Sequence, residues 1–123
     1  MMDYDGTLVP FVSPPKKSLL PQDVRRILSR LASSQRFIVG ILSGRALKDL
    51  RSTVGLKRIY YAGNHGLETL GPGLRFRHPE AVALRPSLRV LRNDLAKACK
   101  GIHGIFLEDK KLSLSLYYWN TPY

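Results

Sequence analysis

The run Arg36-Phe37-Ile38-Val39-Gly40-Ile41-Leu42, closed by Ser43-Gly44-Arg45, sets the architecture of this chain. It is short, β-rich and almost wholly apolar, the pattern of a strand covered on both faces, as in parallel sheets. Helical patterns flank it. Upstream, Val24, Ile27, Leu28 and Leu31 stand at i, i+3, i+4 and i+7. They form one apolar stripe on a helix over about residues 22–34, with Arg25, Arg26 and Arg30 turned to water. Downstream, Ala46 to about Thr53 reads as a second helix, with Leu47 and Leu50 on its buried side and Gly55 at its end. Arg58 to Ala62 is a further β-rich run, followed by Gly63-Asn64-His65-Gly66. Met1 to Tyr4 reads as the last turn of a strand, and Pro10, Pro14, Pro15 and Pro21 mark the loop after it. The order strand, helix, strand, helix, strand predicts an α/β fold with a parallel sheet.

The character changes after His65. Leu67 to Leu70, Gly71-Pro72-Gly73 and Leu74 to Arg77 read as a hairpin. Leu84 to Lys100 reads as a helix with Leu84, Leu88, Leu91 and Leu95 on one face, broken by Gly101 and Gly104. A second hairpin follows, Ile105 to Glu108 and Leu112 to Tyr118, where leucines alternate with Ser113, Ser115 and Tyr117 at the period of a half-buried strand. The expected division is residues 1–66 as a parallel α/β core and residues 67–123 as an incomplete α+β unit, ending just after the turn signal Asn120-Thr121-Pro122.

Composition bounds the partners. At 123 residues there is room for one modest domain. Twenty Lys and Arg against nine Asp and Glu give +11, a balance that favours anionic partners. The basic residues are spread from Arg25 to Lys111 with no aromatic-interleaved run, so the clustered footprint of a nucleic-acid binder is absent and no nucleic-acid partner is expected. A single cysteine, Cys99, allows no intrachain disulfide and suits a reducing cytosol. Met1 to Gly6 has no signal-peptide pattern, and the apolar stretch Phe37 to Leu42 is far short of the roughly 20 residues a membrane helix needs. The expectation is a soluble, cytoplasmic protein with no membrane partner.

Asp3-Tyr4-Asp5-Gly6-Thr7-Leu8 carries the main chemical signal. Carboxylates two residues apart point the same way on an extended chain, and Gly6 lets the chain turn so that backbone N–H groups can face a phosphate. This suits phosphoryl transfer: one carboxylate attacks phosphorus, and the other gives and takes the proton. Alone, the pair reads equally as a turn, because Asp-Gly marks turns in many chains. Ser43-Gly44-Arg45 adds a hydroxyl and helix N-terminal amides at the end of the next strand, an anion site in that setting and a plain N-cap in isolation. Ligands of open parallel sheets bind at the carboxyl ends of strands, where both motifs lie.

With these motifs the sequence resembles the haloacid-dehalogenase-like phosphatases, and within them the trehalose 6-phosphate phosphatases. The carrying stretches are Asp3 to Val9, Ile41 to Arg45, Ala62 to Glu68 and Glu108 to Leu114, in the family's order over nearly the whole chain. The resemblance implies a partial Rossmann-like core followed by an incomplete cap. It implies Asp3 as nucleophile and Mg²⁺ ligand, and Asp5 as general acid and base whose backbone carbonyl also reaches the metal. Thr7 and Ser43 would bind the phosphoryl group, with Gly44 beside them. Arg45, Asn64 and His65 would line the cleft, and Glu108 and Lys110 would touch the hydroxyls of a phosphosugar substrate. His65 reads equally as a turn residue, and Lys110-Lys111 as an exposed charged turn. Trp119, Tyr60-Tyr61 and Tyr117-Tyr118 read as core or sheet-face residues. The family's strand before the first Asp is represented only by Met1 and Met2. Its later Lys and acidic metal motif have no counterpart before Tyr123, and Tyr117-Tyr118-Trp119 stands where it usually has His-Tyr-Arg. The expectation is therefore an N-terminal fragment, truncated and of reduced or absent activity, with a missing chain or partner completing the core. Another phosphatase of the same superfamily, or a non-catalytic remnant that binds phosphates or a partner, stands as the alternative.

Overall fold

A computed structural model describes residues 1–12, 18–118 and 121. Pro14 and Pro15 of the proline-marked loop, and Trp119, Asn120 and Pro122 near the end, lie outside the described residues. The chain forms two compact units, Met1–Arg77 and His78–Tyr123.

In the first unit the elements are β1 (Met2–Asp3), α1 (Gln22–Ser33), β2 (Gly40–Leu42), α2 (Leu47–Val54), β3 (Tyr60–Gly63), a 3₁₀ turn (Asn64–Gly66), β4 (Glu68–Gly71) and β5 (Leu74–Arg77). The strands lie side by side in chain order in one sheet, with β1, β2 and β3 parallel and β4 and β5 antiparallel. The α/β expectation is met, and the alternation of strand and helix is its cause. The hairpin β4–β5, expected to open the second unit, is instead a continuation of this sheet. Glu68, Thr69 and Leu70 pair with β3, so the division falls after Arg77 rather than after Gly66.

The core is one-sided. Ile41 pairs with Tyr61 in register, and both are buried with Tyr4, Leu28, Leu50 and Val54. The run from Arg36 is not a strand covered on both faces. Only Gly40–Leu42 is strand: these three residues pair with β3, and Ile41 and Leu42 pair with β1 as well. Phe37, Ile38 and Leu42 are exposed while Val39 and Ile41 are buried. On α1, Leu28 is buried and Val24 and Leu31 pack against the core, but Ile27 is exposed. Arg25 does not face water. Its guanidinium donates to the Val54 and Thr53 carbonyls, the carbonyl end of α2. A cation there offsets unsatisfied carbonyls and the helix dipole. Gly55 ends α2 in the left-handed region, as its position after the helix suggests. Gly63 has no room for a side chain: a Cβ there would lie 2.6 Å from the Leu47 backbone, so glycine is what lets α2 start against the end of β3.

The second unit contains α3 (Pro79–Ala83), α4 (Arg85–Ala98) and the hairpin β6 (Phe106–Asp109) with β7 (Leu114–Tyr117). The short α3, which closes where the Leu84 N–H meets the Glu80 carbonyl, was not expected; the helix expected from Leu84 to Lys100 is α4. Its leucine stripe is only partly covered. Leu88 and Leu95 are half-buried while Leu84 and Leu91 are exposed, since only a two-stranded hairpin lies in this unit to cover it. Among the described residues no helix is long and apolar enough to cross a membrane.

Candidate active site

The carboxyl ends of β1, β2 and β3 lie in a row, and each leads into a tight turn. After β1 the Leu8 and Val9 N–H groups both return to the Tyr4 carbonyl, and Gly6, at φ +89°, donates to the Val9 carbonyl. Residue alternation then assigns the faces. Tyr4 points into the core, fully buried, with its hydroxyl donating to the Ser18 carbonyl at 2.8 Å, while Asp3 on the other side is exposed. Among the described residues Asp3 has no ion pair or hydrogen-bonded side-chain partner. Thr7 is exposed in the turn.

After β2, Ser43 and Arg45 turn back over Asp5. Arg45 grips Asp5 with both arms of its guanidinium, Nε to Oδ2 at 2.8 Å and Nη2 to Oδ1 at 2.6 Å. Ser43 Oγ donates to the same Oδ2 at 3.4 Å and accepts the Arg45 N–H at 3.1 Å. The two charged side chains are 10% and 21% exposed, so the pair is largely shielded from water. Arg45 also stacks over the Tyr4 ring, with 5.0 Å from Cζ to the centroid. The hydrogen bonds it donates to Asp5 hold the Arg45 guanidinium above its ordinary pKa, and burial pushes the Tyr4 phenol up. Ser43 is not an N-cap: α2 begins only at Leu47, after Ala46, with no side-chain cap. Its hydroxyl is committed to the Asp5–Arg45 pair instead.

After β3, Asn64 and His65 take left-handed conformations, φ 50° and 57°. Their N–H groups donate to the Arg45 and Ser43 carbonyls, which ties this turn to the one after β2. His65 is exposed, and its ring lies where a Gly44 Cβ would be, 2.6 Å from Cε1, so Gly44 makes room for it. His65 is thus both a positive-φ turn residue and a wall beside Ser43-Gly44. Asn64 is wholly buried and donates to Glu68 Oε1 at 2.9 Å, and Glu68 Oε2 accepts from Arg77 at 3.2 Å.

The structure therefore brings Asp5, Ser43, Gly44, Arg45, Asn64 and His65 together, with Asp3 at the head of the same strand as Asp5. Glu108 and Lys110 belong to the second unit. There Lys110 Nζ lies 3.7 Å from Glu108 Oε2, and the Tyr117 hydroxyl donates to that oxygen at 2.8 Å. Lys110 is buried rather than an exposed turn residue; only Lys111, at φ 71°, has that role. Sequence reasoning missed the supporting partners Glu68, Tyr4 and Tyr117. The signals were present: Glu68 stands four residues after Asn64, and Tyr4 occupies the inward position between two outward carboxylates. Among the described residues no three His, Cys, Asp or Glu side chains gather as a metal cluster.

The sequence model of the family described as trehalose-phosphatase matches residues 1–122. Trehalose-phosphate phosphatase B of Arabidopsis thaliana is 32% identical over 126 residues, which are 95% of this chain and 33% of that protein. Trehalose-phosphate phosphatase of Mycobacterium tuberculosis is 34% identical over 120 residues, 97% of this chain and 30% of that protein. The solved C-terminal domain of C. albicans trehalose-6-phosphate phosphatase superposes with a TM-score of 0.83 at 27% identity, covering 98% of this chain and 42% of that one. The chain spans about a third of the length of the curated relatives it matches. With the family's pattern running through almost every residue and the fold shared with a solved relative, the chain belongs to the trehalose-phosphatase family.

Proposed function

We propose that this chain carries the nucleophile-bearing part of a phosphatase of the haloacid-dehalogenase-like type that hydrolyses trehalose 6-phosphate to trehalose and phosphate. The observation that carries the reading is the Asp5–Ser43–Arg45 cluster at the carboxyl ends of adjacent parallel strands, beside an exposed Asp3 that has no side-chain partner among the described residues. The names of the relatives supply the substrate.

In this reading an Asp3 oxygen attacks phosphorus as the bond to the sugar oxygen breaks. Asp5 gives a proton to the leaving alkoxide. It then takes one from the water that attacks the aspartyl-phosphate, so phosphate leaves and both carboxylates are restored. Asp5 cannot do this while Arg45 holds both its oxygens. The arriving phosphoryl group offers the guanidinium a substitute anion, which frees Asp5 at the moment it is needed. Ser43 and Thr7 then supply hydroxyls to the phosphoryl oxygens, and Glu108 and Lys110 supply an acceptor and a donor to sugar hydroxyls. Two carboxylates on one strand end, one of them unpaired, fit Mg²⁺, which is held by one or two carboxylates with waters and substrate phosphate. Asp3 and Asp5 would hold it. When bound it neutralises the charge that would otherwise set carboxylate against phosphate.

The test is phosphate release from trehalose 6-phosphate with Mg²⁺, comparing the chain with its Asp3→Asn variant. Turnover that the substitution abolishes supports the reading. Turnover that survives it removes Asp3 from the chemistry and overturns the mechanism.

A further inference from the structure

The catalytic cluster uses few of this chain's cations. Their spread along the sequence hides a grouping that the fold creates. At the amino end of β3, opposite the catalytic turns, lies a cleft of about 690 Å³ whose wall carries Lys48, Arg51, Lys57 and Arg58. The lining holds no carboxylate, and among the described residues none of these four cations forms an ion pair. At about 3.3 Å per residue, the span from Ile59 to Asn64 puts the Lys57–Arg58 end of this cleft on the order of 15 Å from the catalytic turns, while Lys48 reaches it from the first turn of α2.

The cleft is firm and partly apolar. Ile59 and Tyr61 are buried beneath it, and Leu56 and Leu70 are half-covered at its sides. The Tyr61 hydroxyl donates to the Leu56 carbonyl at 2.6 Å and accepts the Leu56 N–H at 3.0 Å, which pins the loop that carries Lys57 and Arg58. The Tyr60 hydroxyl holds the opposite wall by donating to the Pro72 carbonyl at 3.1 Å. Arg58 sits at φ 61°, an uncommon conformation for a non-glycine residue, which fixes the direction in which its side chain leaves the loop. The carbonyl end of α2 is already covered by Arg25.

We propose that this cleft binds an organic diphosphate with a flat apolar body, the chemistry of a nucleoside diphosphate. Four cations without an ion pair among the described residues exceed what a single phosphate monoester neutralises, and the half-exposed Leu56 and Leu70 at the sides suit an apolar ring better than a hydroxyl-rich sugar. The volume lies within the range of small-molecule sites, about 300–1,000 Å³. This site is separate from the phosphatase reading and stands or falls apart from it.

The test is calorimetric titration of the chain with ADP, and separately with pyrophosphate and with adenosine. ADP binds at one site, at least about tenfold more tightly than either fragment, since charge-assisted contacts and ring burial each contribute on that scale. The double variant Arg51→Gln with Arg58→Gly weakens ADP binding at least about tenfold. Glycine relieves the positive φ, so this variant keeps the fold, and circular dichroism verifies that. Asp3→Asn with Ser43→Ala leaves ADP binding unchanged. Loss of binding in the catalytic-end variant instead, or no binding by ADP, overturns the proposal. Equal affinity for pyrophosphate and ADP overturns the apolar-body part of it.

Discussion

Replacing Arg45 by alanine removes both N–H donors that hold Asp5 and leaves a carboxylate that is only 21% exposed without its counter-charge. Exposed ion pairs are worth about 0–1 kcal/mol, whereas breaking a buried one costs about 3–5 kcal/mol. With Arg45 at 10% and Asp5 at 21% exposure the pair lies nearer the buried limit, yet water can enter from the Asp5 side. A cost of about 2–3 kcal/mol follows for the pair, to which loss of the stack on Tyr4 adds roughly 0.5–1 kcal/mol. Total domain stabilities are about 5–15 kcal/mol, so a loss near 3 kcal/mol is readily seen in urea unfolding. The decisive form is a double-mutant cycle of Arg45→Ala, Asp5→Asn and both together. The expected coupling energy is about 2 kcal/mol. Arg45→Lys keeps the charge but loses the two-pronged geometry and is expected to recover less than half of it. A coupling below about 0.5 kcal/mol would mean that the pair is solvated in the way surface pairs are. The view of Arg45 as the restraint on Asp5 would then be wrong.

Three further outcomes are expected. Asn64→Ala strips the buried Glu68 carboxylate of its Asn64 donor and puts alanine, which tolerates the left-handed region less well than asparagine, at φ 50°, so it should cost about 2–3 kcal/mol in urea unfolding. Arg25→Gln withdraws the cation from the carbonyl end of α2 and should lower stability by about 1–2 kcal/mol, whereas Arg26→Gln on the exposed face should change it by under about 0.5 kcal/mol. Burial raises the Tyr4 and Tyr61 phenols above the ordinary value of 10.0 in the folded state. The folded chain therefore keeps protons that the unfolded chain gives up: their contribution is complete below pH 10.0 and is lost as pH climbs through the raised values. Melting temperature followed from neutral to strongly alkaline pH should decline above that point, and Tyr61→Phe should reduce the decline.

What the chain discloses in sequence is whatever depends on short range and on the geometry of parallel sheets. The Asp3/Asp5 pair and Ser43-Gly44-Arg45 each follow a β-rich run, and adjacent parallel strands run the same way, so their carboxyl-end turns must be neighbours whatever else happens. That one rule juxtaposes Asp5 with Ser43 and Arg45 before any coordinate is known. It does not say which side chain takes which partner. Arg45 satisfies Asp5 because four residues, Ser43 to Ala46, separate β2 from α2, and no periodicity encodes that delay. Arg25 reads as a solvent-facing residue by helical phase, yet the end of α2, far along the chain, comes within its reach. The strand expected from Arg36 is shorter for a related reason: apolarity reports that a segment can be buried, while strand length depends on how much partner is there to pair, and β3 and β1 together meet only Gly40 to Leu42. The basic cleft is the sharpest case. Lys48 and Arg51 belong to a helix, Lys57 and Arg58 to the loop that follows, and each alone is an ordinary solvated charge. They become a potential binding surface only because α2 doubles back along β3, with Gly63 permitting the close approach at one end and Gly55 turning the chain at the other. Charge density in a folded chain is a property of the crossing geometry, and for this protein that geometry is written in two glycines rather than in the cations themselves.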